Sequence, residues 1–227
     1  MTIAGFVERL CSFESEHVFN PYKDICVLHD KANAVEIRRN NIFQMVTAAH
    51  ETRATTIWVA RDLGYRGGRR TGLALTDEAH LDHAAEMLAT EGINRATEGP
   101  AVAERTATVI WDTLLRIQRP VMLWNVFPFH PHEAEDPMTN RCHNRHERDA
   151  ALPFLFELIE LLQPDRIVAI GRDAALALVD IPLPVHQARH PSYGGQTTFV
   201  RQMEELYNLR RDPGQQQSLS FDQALPA

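Results

Sequence analysis

The chain has 227 residues, 44% of them hydrophobic, enough for one domain that buries a core without disulfide staples. Lys and Arg total 23 against 30 Asp and Glu, and the formal charge of −7 argues against a generic nucleic-acid binder, whose footprint is basic overall. The three cysteines, Cys11, Cys26 and Cys142, exclude a four-thiolate iron–sulfur cluster or zinc site, and no run reaches the roughly 18 apolar residues of a membrane span.

The opening, MTIAGFVERLCSFESEH, lacks the basic and apolar regions of a signal peptide, so a cytoplasmic location is expected. The proline in FNPY (19–22) disfavours helix at Asn20 and predicts a turn. Residues 34–50 place Val35, Ile37, Ile42, Met45 and Val46 at helical spacing. TTIWVA (55–60) is short, β-branched and apolar, as a buried parallel strand is, and Gly64, Gly67, Gly68 and Gly72 then force a loop. Thr76 is positioned to cap a helix running towards Leu88, and 101–117 is the clearest amphipathic helix. A second apolar strand covers 121–126. The Pro-, His- and Asn-rich segment 127–146 reads as a long functional loop in which Phe127, Phe129 and His130 pack rather than stack on a ligand. A helix over 148–163, a strand over 166–171, a short helix over 172–179, a strand over 184–188 and a helix over 197–209 follow. Strands alternating with helices predict an α/β three-layer sandwich around a mainly parallel sheet of about four strands. Residues 1–211 form one expected domain with a helical N-terminal extension, and 212–227 have the composition of a disordered tail.

Polar residues fall where apolar runs stop: Asp62 after the first strand, Asn125 in the second, His190 after the last. In an open α/β sheet, ligands bind outside the carboxyl ends of the strands, so these three groups can converge on one pocket. Arginines gather at 61–70 and again at 141–148, giving an acidic chain a local cationic face for phosphates. Cys142 lies beside His143 and His146, but the spacing matches no zinc pattern, and the expected reading is a loop thiol among solvated residues.

GYRGGRRTGLALTDE resembles the first motif of the uracil-DNA glycosylase superfamily, NVFPFHPHE with PMTNR its middle segment, and HPS its last motif. Order and spacing are kept from about Thr55 to Leu206. The resemblance implies a cofactor-free, metal-free bacterial member of the cluster-less branch. In such an enzyme Asp62 orients the attacking water and stabilises the oxocarbenium-like sugar as the C1′–N1 bond breaks. His190 donates a hydrogen bond to uracil O2, where negative charge develops. Asn125 accepts from uracil N3–H and donates to O4, a pattern that cytosine reverses at both atoms. Gly64, Tyr65 and Leu75 fall along the base pocket. Arg66, Arg69, Arg70, Arg145, Ser192 and Tyr193 are positioned to hold the strand, and Tyr193 can press into the duplex where the base was.

Three departures bear on substrate range. ARDLG (60–64) replaces both GQDPY and GEAPG. Gly64 stands where uracil-selective relatives place the Tyr that blocks the thymine methyl, leaving Tyr65 or Arg66 to fill that volume. Leu75 replaces the family's stacking Phe, losing about 1 kcal/mol of aromatic stacking. The expected activity is a monofunctional, monomeric uracil-DNA glycosylase of base-excision repair that flips deoxyuridine and leaves abasic DNA. A G·T/U mismatch or damaged-base glycosylase, and a non-catalytic binder of uracil-containing or abasic DNA, are the alternatives.

Overall fold

The computed structural model describes residues 1–209, and the tail expected at 212–227 lies outside them. Helix α1 (Ile3–Ser12) begins where the Thr2 hydroxyl accepts the Gly5 N–H at 3.1 Å, and it buries Phe6, Val7 and Leu10. Strand β1 (Val18–Phe19) and helix α2 (Ala34–Glu51) follow. Strand β2 (Thr56–Asp62) outruns the TTIWVA segment, so Asp62 is itself the last strand residue. The glycine-rich stretch folds into a single turn, α3 (Gly68–Thr71). Asp77, rather than Thr76, caps what comes next: its carboxylate accepts the Ala79 N–H, and a 3₁₀ turn (Glu78–His80) leads into α4 (Leu81–Met87).

Helix α5 (Arg105–Ile117) starts later than its periodicity predicts, because 97–104 is held as an extended strap. Strand β3 (Met122–Phe127) is followed by β4 (His130–Pro131), which pairs antiparallel with β1 inside a segment expected to be loop. Such a two-residue strand leaves no periodic signal. Helix α6 (Arg145–Leu162) begins earlier than expected, because Asn144 and Glu147 form a reciprocal capping box. Strand β5 (Arg166–Ile170), helix α7 (Arg172–Ala177), strand β6 (Val185–Ala188) and helix α8 (Gln196–Tyr207) complete the described chain.

The sheet runs β3-β2-β5-β6 with every pair parallel. Helices cover both faces: Phe6 of α1 packs on Trp124, while Phe199 and Tyr207 of α8 pack on Trp58. This is the expected α/β sandwich, and one contiguous apolar cluster fills both layers. From β2 the chain adds β3 on one side and later β5 on the other. Connections leaving β2 and β5 therefore diverge and open a crevice at their carboxyl ends.

The loop after β2 is fastened from behind. Tyr22 donates to the Gly72 carbonyl at 2.8 Å, and Asn41 of α2 donates to the Thr71 carbonyl at 2.9 Å. Asn20 caps its own turn, its Oδ1 accepting the Tyr22 N–H at 2.9 Å, and its side-chain N–H groups donate to the carbonyls of Leu10 and Phe13. Asn20 and Tyr22 thus brace the N-terminal segment against the glycine-rich loop and do not face the crevice. Phe127 and Phe129 pack with Phe13, and Phe129 also meets Phe154, so these aromatics belong to the core as expected.

Candidate active site

A cavity of about 580 Å³ opens at the carboxyl ends of β2, β5 and β6, within the range of small-molecule pockets. The segments 60–64 and 170–174, with Arg189, His190, Ser192 and Tyr193, supply most of its wall, and Leu75, Glu104, Asn140 and Arg141 are among the residues that close it. Asp62 and His190 both face it. The end of β3 contributes nothing, whereas the β5 turn, which carried no signal in the sequence, contributes heavily.

The Asp62 side chain is 7% exposed, and both its oxygens are engaged. Oδ2 takes the Arg61 Nε–H at 2.6 Å, and Oδ1 is hydrogen-bonded by His143 Nδ1. Arg61 also reaches Asp173 at 2.7 Å. Burial opposes the Arg61 charge, but these two carboxylates hold its pKa above the ordinary value. Each oxygen of a carboxylate offers two acceptor positions, so Asp62 can still accept from a water in the cavity.

His190 is held by its own loop. The Ser192 N–H donates to His190 Nδ1 at 3.2 Å, with Ser192 Oγ at 2.8 Å. A backbone N–H only donates, so Nδ1 must accept and the ring proton resides on Nε2. Burial, then the nearby Arg61 and Arg189, lower the His190 pKa, which keeps the ring neutral. The result is a neutral imidazole with an N–H free to donate. Gly171, at φ +94°, makes the packing possible, since a side chain there would stand 3.3 Å from His190 Cβ. Leu75 and Tyr193 adopt left-handed backbone (φ 54° and 50°), strain of the kind that collects at functional sites.

A family model described as the uracil DNA glycosylase superfamily matches residues 64–211. The chain belongs to that superfamily. Over 45 residues it is 44% identical to a type-4 uracil-DNA glycosylase of Pyrobaculum aerophilum, a match covering 20% of this chain and 23% of the relative. The fold is similar to the crystal structure of wild-type SMUG2 from Pedobacter heparinus, with a TM-score of 0.59 and 12% identity. That likeness covers 97% of this chain and 99% of the other, and at such identity it concerns the fold alone.

This superfamily member arranges its expected site residues unevenly. Asp62, Gly64, Leu75, His190, Ser192 and Tyr193 line the cavity. Asn125 does not: it is 1% exposed and sits beside Ala60 in register, one strand behind the wall. Its Oδ1 has no hydrogen-bond partner among the described residues. Tyr65 is also off the wall, since Arg66 stacks over its ring and donates to its hydroxyl at 2.9 Å.

Two strand-holding assignments are corrected. Arg69 and Arg70 are 4% and 8% exposed and are spent inside the protein. Arg69 donates to the Pro137 carbonyl and lies 4.1 Å over the Phe19 ring, while Arg70 pairs with Glu78 and donates to Thr97. Both act as struts for the glycine-rich loop, and burial keeps their head groups from a phosphate. Arg145 is exposed and pairs at 3.6 Å with Asp149, away from the cavity wall.

Four residues of the site were not legible beforehand. Arg172 and Arg189 are exposed on the cavity rim. Glu104 is brought in by the strap: Glu78 accepts the Val102 N–H at 2.8 Å, and Asp77 accepts the Glu104 N–H at 2.5 Å. The Glu104 carboxyl then lies against Gly64 and Gly67, where side-chain carbons would stand 3.3 and 2.4 Å from its oxygens. Glu104 therefore occupies the space that Tyr65 or Arg66 was expected to fill. Burial, and then Asp77, push its carboxyl pKa up against the pull of Arg66. His143, expected in a solvated loop, is only 10% exposed and sits on Asp62. The one usable signal was the Asn144-x-x-Glu147 capping box, which places His143 just outside a helix start.

Proposed function

We propose that this chain is a DNA-repair glycosylase that hydrolyses the N-glycosidic bond of deoxyuridine and leaves an abasic site. The observation that carries the reading is the pairing of Asp62 and His190, from the two ends of the sheet's chain path, across one cavity. Breaking C1′–N1 sends the bonding electrons to the base and leaves positive charge on the sugar. The Asp62 carboxylate meets that positive charge and accepts from the attacking water. The neutral His190 Nε2–H meets the negative charge at uracil O2.

Asn125 supplies selectivity in this reading. Its unpartnered Oδ1 behind Ala60 is an acceptor suited to uracil N3–H when the base is inserted to the depth of that wall. Cytosine offers no N3 proton, and a mispaired buried acceptor costs about 1–3 kcal/mol, or about fivefold to 150-fold. Glu104, packed against Gly64, narrows the cavity on that side, and in this reading it favours uracil over thymine. No lysine lines the cavity, consistent with hydrolysis rather than a Schiff-base strand cut. In this reading Arg172, Arg189 and Ser192 on the cavity rim hold backbone phosphates, and Tyr193, 97% exposed, enters the gap in the duplex.

The test is a labelled oligonucleotide with one deoxyuridine, alongside thymine and cytosine controls, followed by alkali. Cleavage at uracil that Asp62→Asn abolishes is the expected result. Equal excision by Asp62→Asn would remove Asp62 from the chemistry. A retained DNA shift without any cleavage would leave a binding protein on a glycosylase fold.

A further inference from the structure

His143 reaches Asp62, which lines the cavity, from a loop that nothing in the sequence tied to it, and the loop is anchored on both sides. On one side, Asn140 Oδ1 accepts the Tyr65 N–H at 3.0 Å, joining it to the glycine-rich loop. Arg141 comes next, donating to the His132 carbonyl at 2.9 Å and gripping both oxygens of Glu147 at 2.6 and 2.8 Å. On the other side, Asn144 accepts the Glu147 N–H at 2.9 Å while Glu147 accepts the Asn144 N–H at 2.7 Å. Glu147 is therefore gripped by Arg141 and by the capping box at once, and its carboxyl pKa is held low by Arg141 and the Asn144 N–H against the effect of burial. His143 is the side chain between these fixed points that turns inward, its ring 5.6 Å from that of Phe127 and its Nδ1 on Asp62 Oδ1.

We propose that His143 is the positioning residue for Asp62, fixing which lone pairs of the carboxylate face the attacking water. The inference rests on the reading that Asp62 acts on that water. With Asp62 as a carboxylate, which only accepts, the shared proton sits on His143 Nδ1. Arg61 takes Oδ2 and His143 takes Oδ1, so the carboxylate plane is held from two directions. The remaining acceptor positions then point where the cavity admits water. Arg61 alone cannot do this, because it is half-exposed and shared with Asp173. His143 moves no proton and touches no substrate: the water proton passes to Asp62, the water oxygen bonds to C1′, and the C1′–N1 electrons leave with the base.

A misplacement of about 1 Å at a reacting group costs about 100-fold. Replacing His143 is therefore expected to slow single-turnover excision about 10- to 100-fold, with affinity for abasic DNA within about twofold of the parent. The position of the donor separates this role from mere packing. Asparagine carries its N–H where Nδ1 stands, whereas glutamine carries it where Nε2 stands. His143→Asn should recover excision to within about threefold of the parent, while His143→Gln and His143→Leu stay slow. Parental rates in His143→Leu, or equal rates in His143→Asn and His143→Gln, would overturn the proposal. Should His143→Leu fail to fold, the asparagine–glutamine comparison decides, since both are polar and neither creates a large void. Asp62→Asn is run beside them. If it excises uracil as the parent does, the reading of Asp62 fails, whatever the His143 variants do.

Discussion

Asn125→Leu should make the protein more stable and nearly inactive, and the two effects arise from the same side chain. Asn125 is 1% exposed, and its Oδ1 has no partner among the described residues. A buried acceptor left unpaired costs about 1–3 kcal/mol, and leucine has nearly the same shape without that acceptor. For a chain of this size, a gain of that order raises the melting midpoint by roughly 2 to 10 °C. The same substitution removes the two hydrogen bonds assigned to the uracil edge, at about 1–3 kcal/mol each, so excision should fall between about 30-fold and 10⁴-fold. Thermal melts and single-turnover assays on one preparation measure both. A midpoint lowered by the equivalent of about 1 kcal/mol would mean that Oδ1 is satisfied in the folded protein. Excision within threefold of the parent would mean that Asn125 does not read the base. Either result refutes the reasoning.

Three further outcomes are expected. Glu104→Ala opens the space beside Gly64 and should raise thymine excision relative to uracil about 10-fold or more, whereas Glu104→Gln, of the same shape, should not; paired U·G and T·G duplexes measure the ratio. Arg172→Ala and Arg189→Ala should each flatten the dependence of log affinity on log salt by about one, the loss of one phosphate contact, while Arg69→Ala should act on stability instead. His130 is fully buried and burial, then Arg69, lowers its pKa to about 4 from 6.5, so the unfolded chain takes up a proton there before the folded one does. Stability should fall as the pH drops from 6.5 towards 4, by about 3 kcal/mol from this group. Urea midpoints of His130→Gln, which keeps a donor for the Thr139 carbonyl, should lack that share of the decline.

The helix at Ala34–Glu51 and the apolar runs of β2, β3 and β5 follow from periodicity and composition, which neighbouring residues carry among themselves. Asp62 and His190 stood out because a polar group directly after a buried strand has few other places to be. The sign of a charge, by contrast, does not say where it points. Arg66, Arg69 and Arg70 look alike in sequence, yet one lies on the surface and two are buried struts held against Pro137, Glu78 and Thr97.

The sequence by itself determined the alternation of strand and helix, hence a parallel sheet with its ligand edge at the carboxyl ends, and two of the polar groups found there. Only the tertiary structure decided the rest of the site. Glu104 reaches Gly64 because Asp77 and Glu78 bind a strap 25 or so residues further along the chain. His143 reaches Asp62 because a capping box and an Arg141–Glu147 pair fix a loop that enters from another strand. Asn125 withdraws behind Ala60 because β3 runs two residues past it before ending. Each of these contacts joins residues far apart in the chain, and periodicity reports only on neighbours.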